Sequence, residues 1–155
     1  MNITLREAMP ADEPFLFEVY ASTRSEELEG LDWDENQKHA FIKMQFLARE
    51  RIYPKVDNRI ILLNGCAIGR ILVDRTEAGI RLIDIALLTE HRNAGIGNHV
   101  IKDLIEEAAA SNKALNLRVR SGSPAMRLYE RLGFRTTAND AVYSEMTWLP
   151  PVATS

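Results

Sequence analysis

Two stretches of this chain carry residue types and spacings that could do chemistry. The first is 82–97, LIDIALLTEHRNAGIG: an apolar run, a polar turn, an arginine, then Gly95-Ile96-Gly97 opening a long amphipathic segment. Strand, glycine turn and helix start together make a place for a phosphate. The first N–H groups of a helix have no intrahelical acceptor, and the helix dipole adds partial positive charge there. Glycine at 95 and 97 leaves no Cβ to hold a diphosphate off the backbone, and Arg92 adds a cation beside those N–H groups. The second stretch is 125–134, AMRLYERLGF, which sets a phenol, Tyr129, inside a short helical pattern closed by Gly133.

Competing chemistries fail on pattern. The dinucleotide fingerprint Gly-x-Gly-x-x-Gly does not occur, and no Gly-Lys-Ser/Thr marks a P-loop. The three histidines, His39, His91 and His99, form no short spacing with Cys or Asp, so no metal is expected. His91, beside the glycine turn, reads as solvent-exposed. Cys66 follows a turn and reads as core filler, with no His or Asp motif to make it a nucleophile.

Other elements must position these stretches. Ile3–Arg6 alternates as a first strand, and Pro10-Ala11-Asp12 breaks it. Asp12 is suited to cap a helix over 12–27 whose Phe15, Leu16, Val19 and Thr23 recur at helical spacing. Asp34 is suited to cap a second helix with Phe41, Met44, Ala48 and Ile52 toward the core, ended by Pro54. Trp33, Phe41, Met44 and Phe46 fit either core packing or the lining of a substrate pocket. Arg59–Leu63 and Cys66–Asp74 form a hairpin about Asn64-Gly65, because a type I′ turn needs φ > 0 at both central residues. Gly79–Leu88 adds a third strand. Ile96, Val100, Ile101, Leu104, Ile105 and Ala108 make one apolar face of a helix over 95–111. Leu115–Val119 is a strand. Ser123-Pro124 starts a helix with Ala125, Leu128 and Leu132 inward, and Phe134–Thr137 and Val142–Trp148 close the sheet. This order predicts one α/β (α+β) domain over 1–150: a mixed, mostly antiparallel sheet of about seven strands with helices on both faces, and a tail at 151–155.

Composition narrows the class. At 155 residues and 46% hydrophobic, the chain has enough apolar surface for one core. No run approaches the roughly 18–20 apolar residues of a bilayer span, so no membrane partner is expected. A net charge of -3 argues against a nucleic-acid surface. The N-terminus shows no apolar signal segment, and the single cysteine excludes an internal disulfide; both suit a cytoplasmic setting.

Arg92-Asn93-Ala94-Gly95-Ile96-Gly97 and the segment Ala125–Phe134, separated by a helix and a strand, together resemble the GNAT superfamily of N-acetyltransferases. The first matches that family's Arg/Gln-x-x-Gly-x-Gly/Ala loop, the second its Ala-x-x-Leu-Tyr-x-x-x-Gly-Phe segment, and the likeness covers 58–148. It implies acetyl-CoA as cosubstrate, with Arg92, Asn93, Ala94, Gly95, Ile96 and Gly97 around its diphosphate. It implies main-chain hydrogen bonds from Ile85, Ala86 and Leu87 to the pantetheine arm, where the strand splays from its neighbour at a bulge. The Leu87 N–H would polarise the thioester carbonyl and stabilise the oxyanion. Tyr129 falls at the general-acid position, against a bland role packing its helix onto the sheet. Asp84 is the nearest acidic candidate for the base that keeps the amine neutral, or else a structural carboxylate. Glu26, Glu27 and Asp32, in a loop that caps the acceptor pocket in the family, fit either attraction of a cationic amine or a solvated helix end. Where the family often has an asparagine contacting pantetheine, this chain has Gly122 followed by Ser123, with Ala125 beginning the second motif. The reading is an acetyl-CoA-dependent N-acetyltransferase acting on a primary amine of a small molecule or peptide by direct attack. The alternative is a non-catalytic acyl-CoA-binding module. A homodimer is compatible with either.

Overall fold

The computed structural model describes residues 2–24, 28–52, 56–92 and 94–151. The Asn64-Gly65 turn forms as its residue types require, with φ of 51° and 86°. It joins β2 (Asp57–Leu63) to β3 (Cys66–Arg75). Around this hairpin the elements run β1 (Ile3–Glu7), α1 (Glu13–Arg24), α2 (Glu35–Ile52), β2, β3, β4 (Ile80–Leu87), α3 (Ile96–Ala110), β5 (Leu115–Arg120), α4 (Ala125–Arg131), β6 (Arg135–Asn139) and β7 (Tyr143–Trp148). The strands form one mixed seven-stranded sheet in the order β1-β2-β3-β4-β5-β7-β6. β4 and β5 are parallel, as a strand–helix–strand crossover through α3 allows. β1–β2, β5–β7 and β6–β7 are antiparallel. Cα packing divides the chain into two compact units: Met1–Ile71 with Ile85–Asn93, and Leu72–Asp84 with Ala94–Ser155.

In the first unit the core is Leu16, Tyr20, Phe46 and Ile60, with Phe15, Phe17, Leu62 and Ala67 packed around it. The Tyr20 and Phe46 rings meet edge-on at 5.7 Å, a favoured aromatic geometry. α2 begins with a reciprocal cap. Asp34 Oδ1 accepts the Gln37 N–H at 2.8 Å, and Gln37 Oε1 accepts the Asp34 N–H at 2.9 Å. Its inward face differs from the expected one. Ile42 and Phe46 are buried, whereas Met44 is 61% exposed and Ala48 is exposed. Two apolar stripes lie on nearly opposite sides of this helix, and sequence spacing alone does not say which one meets the core. Of Trp33 and Phe41, the first is exposed and the second half-buried, and their rings touch edge-on at 5.2 Å. The side chain of Ile52, and Pro54, lie outside the described residues.

Three other expectations are corrected. Asp12 does not cap α1, which follows a 3-10 turn at Pro10–Asp12. Its carboxylate accepts the Met9 N–H at 2.7 Å and both Arg6 Nη groups at 2.8 Å, which holds its pKa down at about 2, the Arg6 hydrogen bond contributing most. Cys66 is exposed instead of filling the core, because the hairpin turn lifts the start of β3 to the surface. No residue of α4 is fully buried; Ala125, Leu128 and Leu132 are half-buried, and Phe134, just after the helix, takes the buried place.

In the second unit α3 buries Ile96, Val100, Ile101, Leu104 and Ala108, the face read from its spacing. Arg75 ties β3 to α3 through both Glu107 oxygens at 2.6 and 2.9 Å. Leu115 and Leu117 of β5 and Met146 of β7 are buried beside them in sequence register, Leu115 opposite Trp148 and Leu117 opposite Met146.

Gly69, buried in β3, has a packing reason to be glycine. A Cβ there would collide with the Ala86 carbonyl oxygen and lie 2.8 Å from Leu87 Cδ2. Gly69→Ala is therefore expected to cost about 1–3 kcal/mol by overpacking, seen as a lower denaturant midpoint. Gly30→Ala is the control, since nothing lies within 4 Å of a Cβ at Gly30. Equal midpoints for the two variants would remove the close approach of β3 to β4.

Candidate functional site

The end of β4 is built by backbone alternation. Successive residues of a strand turn their N–H and C=O groups to opposite edges. The Ala86 carbonyl faces Gly69 on β3, and the Leu88 N–H donates to the Ile68 carbonyl at 2.8 Å. The Leu87 carbonyl turns the other way and accepts the Arg92 Nε–H at 3.1 Å. By the same alternation the N–H groups of Ile85 and Leu87 turn away from β3. The peptide joining Leu87 to Leu88 is thus held at both ends, its oxygen by Arg92 and its N–H by Ile68. The Arg92 guanidinium continues to α1, where Nη2 donates to the carbonyl and hydroxyl oxygens of Ser22, each at 3.4 Å. Ile85, Ala86 and Leu87 are all half-buried. His91, in a 3-10 turn at Thr89–His91, is half-buried and not exposed as its sequence position suggests.

Among the described residues the start of α3 is bare of side chains. Gly95 precedes the helix with φ of 81°, a left-handed conformation that favours glycine. The His99 N–H donates to the Gly95 carbonyl at 3.0 Å, opening the helical hydrogen-bond ladder. In such a register the N–H groups of Ile96, Gly97 and Asn98 have no carbonyl one turn back, and among the described residues no side chain caps them. Nothing lies within 4 Å of a Cβ built at Gly95 or Gly97. Ala94 and Gly95 are exposed. Asn98 Oδ1 is buried without a hydrogen-bond partner. Asn93 lies outside the described residues, as do Glu26 and Glu27; Asp32 is exposed.

Tyr129 comes under the influence of Asp84 in the second unit. The β4–β5 register runs from Ile80↔Leu115 to Leu82↔Leu117, and Asp84 lies past it on β4. The Tyr129 phenol is pushed up from its ordinary value, first by burial and then by the negative charge of Asp84. It therefore stays neutral, and a hydrogen-bond donor, through the neutral range. Its ring meets Phe134 edge-on at 5.7 Å, and its carbonyl accepts the Leu132 and Phe134 N–H groups, so the α4 terminus holds the tyrosine in place. Ser123 Oγ, two residues ahead of the helix start, accepts the Ala125 N–H at 3.2 Å. Among the described residues no three His, Cys, Asp or Glu side chains are grouped to hold a metal.

A family profile described as Acetyltransferase (GNAT) domain matches residues 46–136, more than half of the 155. The chain belongs to the GNAT acetyltransferase family. Solved structures share the GNAT fold across nearly the whole chain. PaiA N-acetyltransferase from Thermoplasma acidophilum, in complex with coenzyme A, superposes with a TM-score of 0.72 at 17% identity over 96% of this chain and 99% of that one. The ribosomal-protein-S18-alanine N-acetyltransferase from Escherichia coli gives 0.69 at 18%, over 99% and 97%. A GNAT family acetyltransferase from Elizabethkingia anophelis with acetyl-CoA bound gives 0.63 at 17%, over 96% and 98%. At such identities the likeness is one of fold. No curated protein sequence matches this chain.

Two residues of this GNAT chain escape sequence reasoning. Gly69 had a usable signal, since a lone glycine inside a strand pattern marks close backbone approach. Ser22 had none; its part comes only from the packing of α1. Replacing Asp84 by Asn removes the negative charge near Tyr129, so the phenol ionises more easily and its pKa falls toward the ordinary 10.0. Tyrosinate absorbance titration, taken as the difference between Asp84→Asn and Asp84→Asn/Tyr129→Phe, measures this. An unmoved titration would separate the two groups.

Proposed function

We propose that this GNAT chain transfers the acetyl group of acetyl-CoA to a primary amine by direct attack. The observation that carries the reading is the bare amide surface at the start of α3, with Gly95 left-handed and open space at the Cβ positions of Gly95 and Gly97. Such N–H groups suit a diphosphate, and Ala94, Gly95, Ile96 and Gly97 would hold it. The Asn98 Oδ1, buried without a hydrogen-bond partner, is an acceptor at the same helix start that a ligand N–H or O–H would satisfy. The outward-turned N–H groups of Ile85 and Leu87 and the outward-turned Ile85 C=O are suited to an amide-bearing arm, as one strand suits another.

Acetyl-CoA supplies an activated thioester. The Leu87 N–H donates to its carbonyl oxygen, where charge grows as the amine adds. That donor gains precision from the neighbouring peptide, whose oxygen Arg92 holds and whose N–H Ile68 holds. The amine must first lose a proton, because free alkyl ammonium ions have pKa about 10.4; Asp84 is the carboxylate proposed to take it. Sulfur must gain a proton as its bond to carbon breaks. A phenol held above its ordinary value is a weaker acid than a thiol of pKa about 8.5, so Tyr129 acts first as a hydrogen-bond donor to sulfur. It passes its proton on only as the amine's proton becomes available to replace it.

The test is incubation with acetyl-CoA and a panel of amines, following release of thiol. Turnover is expected with at least one amine. Tyr129→Phe is expected to lower kcat by about 100-fold with KM for acetyl-CoA little changed. Binding without turnover on every amine, and no effect of Tyr129→Phe, would favour a non-catalytic acyl-CoA module. Gly97→Val separates binding from folding, because Gly97 is not left-handed and a Cβ there meets no described protein atom within 4 Å. Its melting temperature should hold while calorimetric affinity for CoA is lost; unchanged affinity would move the diphosphate elsewhere.

A further inference from the structure

We infer that α2 carries a two-fold contact with a second copy of this chain. The inference starts from the helix face that the fold leaves uncovered. Taking about 100° per residue, Ile42 and Phe46 point inward, and the opposite face is centred on Met44. Within about 60° of Met44 on that wheel lie Gln37, Ala40, Phe41, Leu47, Ala48 and Arg51. All except Phe41 are exposed, and Phe41 is half-buried. Met44 is 61% and Leu47 39% exposed, with Trp33, 37% exposed, packed edge-on against Phe41 and widening the patch. Their spacing of three and four residues is that of a helix-pairing seam, not of scattered surface apolars.

The seam is palindromic, which selects the occupant. An isologous contact requires that a surface fit itself after a half-turn. With the axis at Met44, antiparallel copies of α2 set Met44 against Met44, Ala40 against Ala48, and Phe41 against Leu47. The two alanines let the helix backbones approach, while the larger side chains interdigitate on either side. The ends complement each other in charge. Arg51 of one copy lies opposite Gln37 of the other and within reach of the Asp34 carboxylate that caps the same helix. The two Arg51 side chains sit at opposite ends of the seam, so no like charges face each other. Lys43, at the flank, is already placed over the Phe17 ring at 4.5 Å and 3.7 Å from Glu13. The helix has 18 residues, about 27 Å of length, so the contact is smaller than a standard interface and the dimer is a weak one.

Sedimentation equilibrium of the full chain from micromolar to millimolar concentration tests this. A monomer–dimer equilibrium is expected, and Met44→Lys should weaken it by about 100-fold or more, since it sets two cations face to face. Because Met44 is exposed, its melting curve should not move. A directional readout comes from cysteine. In a Cys66→Ser background, Met44→Cys should oxidise to a disulfide-linked dimer, while Gln45→Cys, about 100° round the helix, should not. A wild-type chain monomeric at millimolar concentration would overturn the proposal. So would a dimer untouched by Met44→Lys, or equal cross-linking at the two positions. A monomer that instead binds phosphatidylserine vesicles, and loses them on Met44→Lys, would assign the face to a membrane.

Discussion

A strand can satisfy its backbone polar groups on two edges, and the end of β4 uses only one of them for β3. The Ala86 carbonyl and the Leu88 N–H face β3, where Gly69 leaves room and the Ile68 carbonyl accepts. Leu87 faces the other way, its carbonyl taken by Arg92. A strand edge whose N–H groups turn outward needs partners, because an unmet buried donor costs about 1–3 kcal/mol. The candidate site depends on this constraint. It fixes which amides are presented, in which direction, and how firmly.

Electrostatics follow the same economy. The chain has a net charge of -3, so an anionic cosubstrate gains nothing from bulk charge. The start of α3 presents oriented N–H groups and partial dipole charge, both short-ranged and fixed by the helix. Several full charges elsewhere are paired. Arg70, 4% exposed, meets both Glu50 oxygens at 2.7 and 3.1 Å. Glu145 meets Arg81 and Arg118, and its pKa is lowered by them, Arg81 foremost. Tyr129 is kept neutral by burial and by the Asp84 charge, which makes it a donor where an ionised phenol would be none.

Much of this was legible in the sequence where a residue type has one physical use. Asn64-Gly65 could only be a turn with positive φ, Gly95 and Gly133 marked helix boundaries and take φ of 81° and 103°, and α3 had a single apolar face. The parts that could not be read had two physical uses. α2 carries two apolar stripes, and the side that meets Tyr20 and Ile60 is decided by the sheet, not by spacing. Cys66 is apolar enough for a core, yet the hairpin leaves it at the surface. The motif gave Arg92 as a cation for phosphate; its geometry also joins Leu87 to Ser22, a residue seventy positions from Arg92 in sequence. Long-range packing of that kind leaves no local trace.

The proposed transfer reaction rests first on the bare amides at the start of α3, which are proposed to receive the diphosphate of acyl-CoA. Amide-resolved NMR of the chain titrated with coenzyme A tests it most directly. The account predicts that the largest shifts fall on Leu87, Gly95, Ile96 and Gly97, with the Arg92 Nε–H moving as well. Saturation with coenzyme A that leaves those amides unmoved, or that moves only residues elsewhere in the chain, would contradict it.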